Sequence, residues 1–105
     1  MRTTITARHC AISDELRRRA EAVLRRLAEH ARRPVEGTIV FDRAGPRAQA
    51  EVRLHCARGE LLVAAAEAKD HRSALDRTEE KLRRQLSKEP QPSSRRRAAS
   101  RKGVA

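Results

Sequence analysis

Polar and apolar positions alternate from the first residues of this chain. Thr3, Ile5 and Ala7 point one way, and Arg2, Thr4, Thr6 and Arg8 the other. That period of two predicts a half-buried strand over residues 2–8. The period then changes. Ser13, with Asp14 and Glu15 behind it, is a helix start: a hydroxyl to cap the first turn and acids to suit its dipole. Leu16, Ala20, Val23, Leu24, Leu27 and Ala31 follow as one apolar stripe. This first helix is expected to run to about Arg33, with Pro34 stopping it.

Three strands are expected next. Over 35–42, Val35, Gly37, Ile39 and Phe41 share a face. Ala44-Gly-Pro46 has turn chemistry. Over 48–56, Ala48, Ala50, Val52, Leu54 and Cys56 face in, and Gln49, Glu51, Arg53 and His55 face out. Arg58-Gly59-Glu60 reads as a tight hairpin connection to a strand over 61–68, with Leu62, Ala64, Ala66 and Ala68 inward. Asp70 then caps a last helix running to Ser87 or Lys88, and Pro90 and Pro92 forbid its continuation. Leu75, Thr78, Leu82 and Leu86 form its apolar edge; Arg77, Lys81, Arg84 and Lys88 repeat with the same rhythm on the opposite face.

The order is therefore β-α-β-β-β-α, an α+β domain. Two helices with single apolar stripes can cover one face of a four-stranded sheet. The other face, carrying Thr4, Thr6, Gln49, Glu51, Arg53 and His55, is expected to be wet. The domain is placed at residues 1–89. Residues 90–105, made of Pro, Ser, Arg and Ala with little to bury, are read as a disordered basic tail.

Charge changes the picture most. Among 105 residues, 25 are Lys or Arg and 14 are Asp or Glu, a net charge of +11. Residues 88–105 hold six basic residues and one acidic residue, hence +5, which leaves +6 for residues 1–87. A folded basic surface is expected, with nucleic acid as the partner rather than a membrane. Arg outnumbers Lys, which suits bidentate contact with phosphate. The sole aromatic residue is Phe41, so base-stacking platforms are not expected, whereas reading RNA by shape and phosphate position needs none. The same scarcity predicts a thin core and modest stability.

On the first helix, Arg18, Arg25 and Arg32 form one line opposite the apolar stripe, and Arg19, Arg26 and Arg33 a second. With the last helix on the same side of the sheet, the basic lines are expected to merge into one patch. Catalysis has little support. Asp76, Glu79 and Glu80 with Lys81, Arg83 and Arg84 offer i,i+4 pairs, and Asp76 and Glu80 read as intrahelical partners of Arg83 and Arg84 rather than an acid–base pair. His9, His30, His55 and His71 show no metal-ligand spacing, and no phosphate-loop or nucleophile-elbow motif is present, so no metal, cofactor or small-molecule substrate is expected. Cys10 and Cys56 form no CxxC pair and no apolar run approaches a membrane span, which leads to the expectation of a reduced, cytoplasmic protein.

Several segments resemble the short ribosome hibernation factors, the family of hibernation promoting factor and protein Y. Ile5-Thr-Ala-Arg-His9 and Ile12-Ser-Asp-Glu-Leu-Arg17 are similar to that family's I-T-G-R-H and I-T-x-x-L-R. Asp70-His-Arg-Ser-Ala-Leu-Asp76 and Glu80-Lys-Leu-Arg-Arg-Gln-Leu-Ser-Lys88 resemble its D-M-Y-A-A-I-D and D-K-L-E-R-Q-L-x-K. The resemblance spans residues 1–88 and implies a fold akin to double-stranded-RNA-binding domains. It also implies binding in the messenger and transfer RNA channel of the small ribosomal subunit, with reversible inhibition of translation by a chain that is a monomer off the ribosome. Arg8, Arg17, Arg26, Lys81, Arg84 and Lys88 match basic positions of the family; Arg18, Arg25 and Arg77 are added from helical geometry. Ala7 replaces a family Gly, and His71-Arg72 replaces Met-Tyr. The rival readings are a general double-stranded-RNA-binding module and a protein-interaction role of the sigma-factor-modulating kind.

Overall fold

The computed structural model describes residues 1–88 apart from the Lys88 side chain; the expected basic tail at 90–105 lies outside the described residues. The elements are β1 (Arg2–Ala7), α1 (Asp14–His30), β2 (Pro34–Ala44), β3 (Arg47–Cys56), a short 3-10 turn (Ala57–Gly59), β4 (Leu61–Ala68) and α2 (His71–Lys88). The strands form one sheet in the order β1-β2-β3-β4. β1 and β2 are parallel, and α1 makes the crossover that a parallel pair requires. β2, β3 and β4 form an antiparallel meander. This is the β-α-β-β-β-α, α+β architecture that the sequence pattern predicts.

Both helices cap their first turns with their own side chains. The Ser13 hydroxyl accepts from the Leu16 N–H at 3.0 Å, and the Asp70 carboxylate accepts from the Ser73 N–H at 2.7 Å. That bond holds the Asp70 carboxyl below its usual range, with the neighbouring Lys69 and Arg72 adding to the effect. α1 stops at His30, three residues before Arg33. Ala31 is already extended, and its N–H turns back to the Ala28 carbonyl at 3.2 Å. Pro34 disfavours helical backbone in the residue before it, and Arg33 takes a left-handed conformation at φ +48°.

The two apolar helix stripes meet the inward face of the sheet in one core. Ala20, Val23, Leu24 and Leu27 come from α1, and Ala74, Leu75, Thr78 and Leu82 from α2. Under α2, strands β3 and β4 present mainly alanines, which lets the helix sit close. Thr78, fully buried, has its hydroxyl 2.7 Å from the Ala74 carbonyl and 3.1 Å from the Ala50 carbonyl, so one proton serves a contact within α2 and one to β3. Phe41 is the largest fully buried side chain.

One expectation about facing fails. Val35 is 55% exposed rather than inward with Gly37, Ile39 and Phe41. The β2–β3 register shifts between Pro34 and Glu36, and the extra residue of this bulge turns Val35 out. Gly37, by contrast, is required by packing. A Cβ there would lie 2.9 Å from Leu24 Cδ2, in the middle of the core. Gly37→Val is expected to lower stability by about 1–3 kcal/mol through overpacking, seen as a lower urea midpoint at unchanged slope.

Candidate nucleic-acid interface

α2 lies along the open edge of β4, and its side chains bind that edge at regular intervals. Arg77 Nη1 donates to the Glu67 carbonyl at 2.9 Å, Lys81 Nζ to Ala65 at 2.8 Å, and Gln85 Nε2 to Val63 at 2.9 Å. Four helical residues advance about 6 Å and two strand residues about 6.6 Å, so the two ladders match. These contacts occupy carbonyls that an edge strand would otherwise offer to another chain. Arg77 and Lys81 therefore do not stand diametrically opposite the Leu75/Leu82 stripe. They flank the sheet edge, exposed and anchored, with their charge held in a fixed row. Arg84 lies farther outward and pairs with Glu80 at 2.9 Å, both side chains exposed. Lys88 closes α2, and its side chain is outside the described residues.

The arginines of α1 divide by direction. Arg17 leans on the other sheet edge, with Nη1 3.3 Å from the Ile5 carbonyl of β1. Arg18 and Arg25 are exposed and have no acidic partner within ion-pair distance among the described residues. Arg19 and Arg26 turn toward α2. Arg19 Nη2 meets Asp76 at 3.1 Å, and Arg26 grips Glu79 with Nε at 2.9 Å and Nη2 at 3.1 Å. The Glu79 hydrogen bond raises Arg26 above its ordinary pKa. Arg83 also approaches Glu79, at 3.9 Å.

These pairs correct two expectations. Asp76 serves α1, not the arginines of its own helix. The basic lines do not merge along the helix layer, because a charge-neutralised seam, Arg19–Asp76 and Arg26–Glu79, runs between the helices. Arg26 sits in that seam, so its guanidinium is already committed to a carboxylate. Outside the seam stand two separate rows: Arg18 and Arg25 on α1, and Arg77, Lys81 and Arg84 on α2. The pairs also show that the helices run in the same direction, since contacts advance together along both.

Arg8 follows β1 at the end of the sheet, with Nη2 3.6 Å from Asp42 Oδ2. His9 Nδ1 reaches the same carboxylate at 3.0 Å, and the Arg43 N–H donates to it at 2.8 Å. The His9 contact first, and the Arg43 N–H second, hold the Asp42 carboxyl below its usual range. His71 packs against the same corner. Its Nε2 lies 2.8 Å from the Asp42 carbonyl, and its ring meets Phe41 edge-on at 5.6 Å and 84°.

The uncovered sheet face holds a shallow depression of about 450 Å³ containing Arg8, Asp42, Glu51, Glu67 and Lys81. Its three acids are paired, with Arg8 and His9, with Arg53 and with Arg47. Among the described residues, no group of three or more His, Cys, Asp or Glu is placed to hold a metal ion, and no helix is long and apolar enough to cross a membrane. Burial raises the Cys56 thiol above its ordinary pKa, which disfavours the reactive thiolate. What the arrangement does offer is exposed guanidinium and ammonium groups on rigid elements.

Two partners in this surface escape sequence reasoning. Gln85 anchors α2 at Val63, and only its spacing of four from Lys81 hints at that. Glu79 joins the helices through Arg26, a contact 53 residues apart in sequence.

Residues 3–91 match the family described as sigma 54 modulation protein / S30EA ribosomal protein. No curated protein sequence gives a match. Among solved structures, a ribosomal subunit interface protein from Coxiella burnetii is similar at 25% identity and a TM-score of 0.73, covering 84% of this chain and 96% of that one. The protein Y N-terminal domain from Thermus thermophilus is similar at 27% identity and a TM-score of 0.70, covering 82% of this chain and 96% of that one.

Proposed function

This chain belongs to the sigma 54 modulation protein / S30EA ribosomal protein family, and on that premise we propose that it is a ribosome hibernation factor. It binds the small ribosomal subunit in the channel for messenger and transfer RNA and blocks translation reversibly, without catalysis. The partner is folded ribosomal RNA, met by a monomer in the cytoplasm. The observation that carries this reading is the pair of exposed Arg/Lys rows held by rigid helices on one layer of the domain. Anchored cations at helical spacing suit a line of phosphates, and the absence of exposed aromatics suits recognition by shape rather than by stacked bases.

Co-sedimentation with purified small subunits across a salt series tests it. Each phosphate neutralised adds about 0.7–0.9 to the log–log slope, so five contacts imply a fall on the order of 100-fold between 50 and 200 mM salt. A flat response contradicts the electrostatic mechanism. Equal affinity for bare RNA duplex favours a general duplex-binding module instead. The family's description also carries a sigma-factor role. Capture of a sigma factor from nuclease-treated lysate, with no binding to subunits, favours that reading.

A further inference from the structure

We propose that the pole of the domain where the α1–β2 and β3–β4 turns meet is a separate contact for the RNA phosphate backbone, made by Arg33 and Arg58 with Arg32 beside them. This inference rests on the RNA-binding reading above and adds a surface that neither helical row contains.

The observation is a pair of arginines in the wrong backbone for arginine. Arg33 has φ +48°, and Arg58 has φ +72° and ψ 20°. Left-handed backbone belongs to glycine, and after it to Asn and Asp, because a Cβ crowds the following carbonyl there. In the β3–β4 connection, the three-residue turn Ala57–Gly59, Gly59 at φ +76° directly follows Arg58, so the turn takes positive φ at two successive positions. A glycine at 58 would meet the need without strain. The chain places its most strongly cationic side chain there instead, and does the same at 33.

The two strained turns are also one structure. The Ala57 N–H donates to the Arg33 carbonyl at 2.9 Å, and the Cys56 N–H to the Glu60 carbonyl at 2.8 Å. Arg32, Arg33 and Arg58 are all exposed. Glu29, Glu36 and Glu60 are the nearby acids in sequence, yet none forms an ion pair with these arginines among the described residues. Elsewhere the fold pairs its acids readily: Arg8, Arg19, Arg26, Arg47, Arg53, Arg83 and Arg84 all have carboxylate partners. Strain held in place without a local partner points to a use outside the chain.

The pole also lies where the two rows lead. α1 ends into Arg32 and Arg33. α2 runs antiparallel to β4, with Gln85 at Val63, so its last turn comes beside Leu61 and the Arg58 turn. The neutral seam separates the rows along the helix layer; the pole closes the gap at its end. A phosphate track can then pass from Arg77 and Lys81 around the pole to Arg25 and Arg18.

The test uses substitutions that the backbone favours. Arg33→Gly with Arg58→Gly removes both charges while relieving both left-handed positions, so the thermal melt is expected to be unchanged or raised. Small-subunit binding is expected to weaken on the order of tenfold at moderate salt, with a log–log slope shallower by about 1.4–1.8 for two lost contacts. Arg33→Lys with Arg58→Lys, which keeps the charge, is expected to restore most of the affinity. Wild-type affinity and slope in the glycine pair, beside lost binding in an α2 charge reversal, overturns the pole and leaves the ribosome reading standing. No binding by the wild-type chain overturns both.

Discussion

Lys81→Glu combined with Arg84→Glu is expected to abolish binding to the small subunit and inhibition of translation, while the domain stays folded. The substitution changes the α2 row by four charge units and turns attraction for phosphate into repulsion. Affinity is expected to fall at least 100-fold, since two contacts are lost and two repulsions added. The structural cost is bounded. Lys81 loses its bond to the Ala65 carbonyl, worth about 0.5–1.5 kcal/mol net. Arg84 loses an exposed pair with Glu80, worth roughly 0.3–0.5 kcal/mol. Both together stay below the 5–15 kcal/mol typical of domain stability. Lys81→Gln separates the two roles, because Gln retains an N–H for Ala65 but no charge. Its melt is expected near wild type and its binding intermediate. Circular dichroism beside a binding titration and an in vitro translation assay reads both variants against wild type. Full inhibition by a folded double variant shows that α2 is not the RNA-binding surface.

The largest stability effect is expected at Phe41. It is fully buried on β2 and is the one aromatic side chain in a core otherwise made of aliphatics and many alanines. Ala50 lies across from it on β3 and Ala66 beyond that on β4, both too small to fill a void beside it. Phe41→Ala is expected to cost about 3–5 kcal/mol from lost transfer energy and an uncollapsed cavity. His71, which opens α2, loses its edge contact at the same time, so the start of α2 should loosen. Against a total of 5–15 kcal/mol, that leaves a marginal or unfolded domain. Phe41→Leu should cost less than about 1.5 kcal/mol, because most of the volume is kept. Urea unfolding of the two variants gives the comparison; equal midpoints contradict a core organised around the ring.

The order of elements was legible because each element carries its period openly. β3 alternates from Ala48 to Cys56 without a break, and α1 and α2 declare their starts with Ser13 and Asp70. What the pattern could not supply were features set by neighbours distant in sequence. The bulge that turns Val35 outward depends on the β2–β3 register. α1 ends at His30 because Ala31 is already extended and Pro34 disfavours helical backbone at Arg33, which periodicity does not encode. Helical spacing placed Arg77 and Lys81 away from the apolar stripe, but not against β4, because that requires knowing which strand is the edge. The seam was hidden for the same reason: Arg19 and Asp76 lie 57 residues apart, and their meeting depends on the parallel run of two helices. Arg18 and Arg25 stand clear of that seam, whereas Arg26, chosen by family pattern, is held within it.

Competition for the decoding channel tests the central claim most directly. Small subunits are loaded with messenger and transfer RNA, then offered the labelled chain at fixed, moderate salt beside empty subunits. The account predicts binding to empty subunits and little to loaded ones, and in the reverse order it predicts that the bound chain blocks transfer RNA from entering. Equal binding to empty and loaded subunits would place the chain elsewhere on the ribosome and contradict inhibition by occupancy.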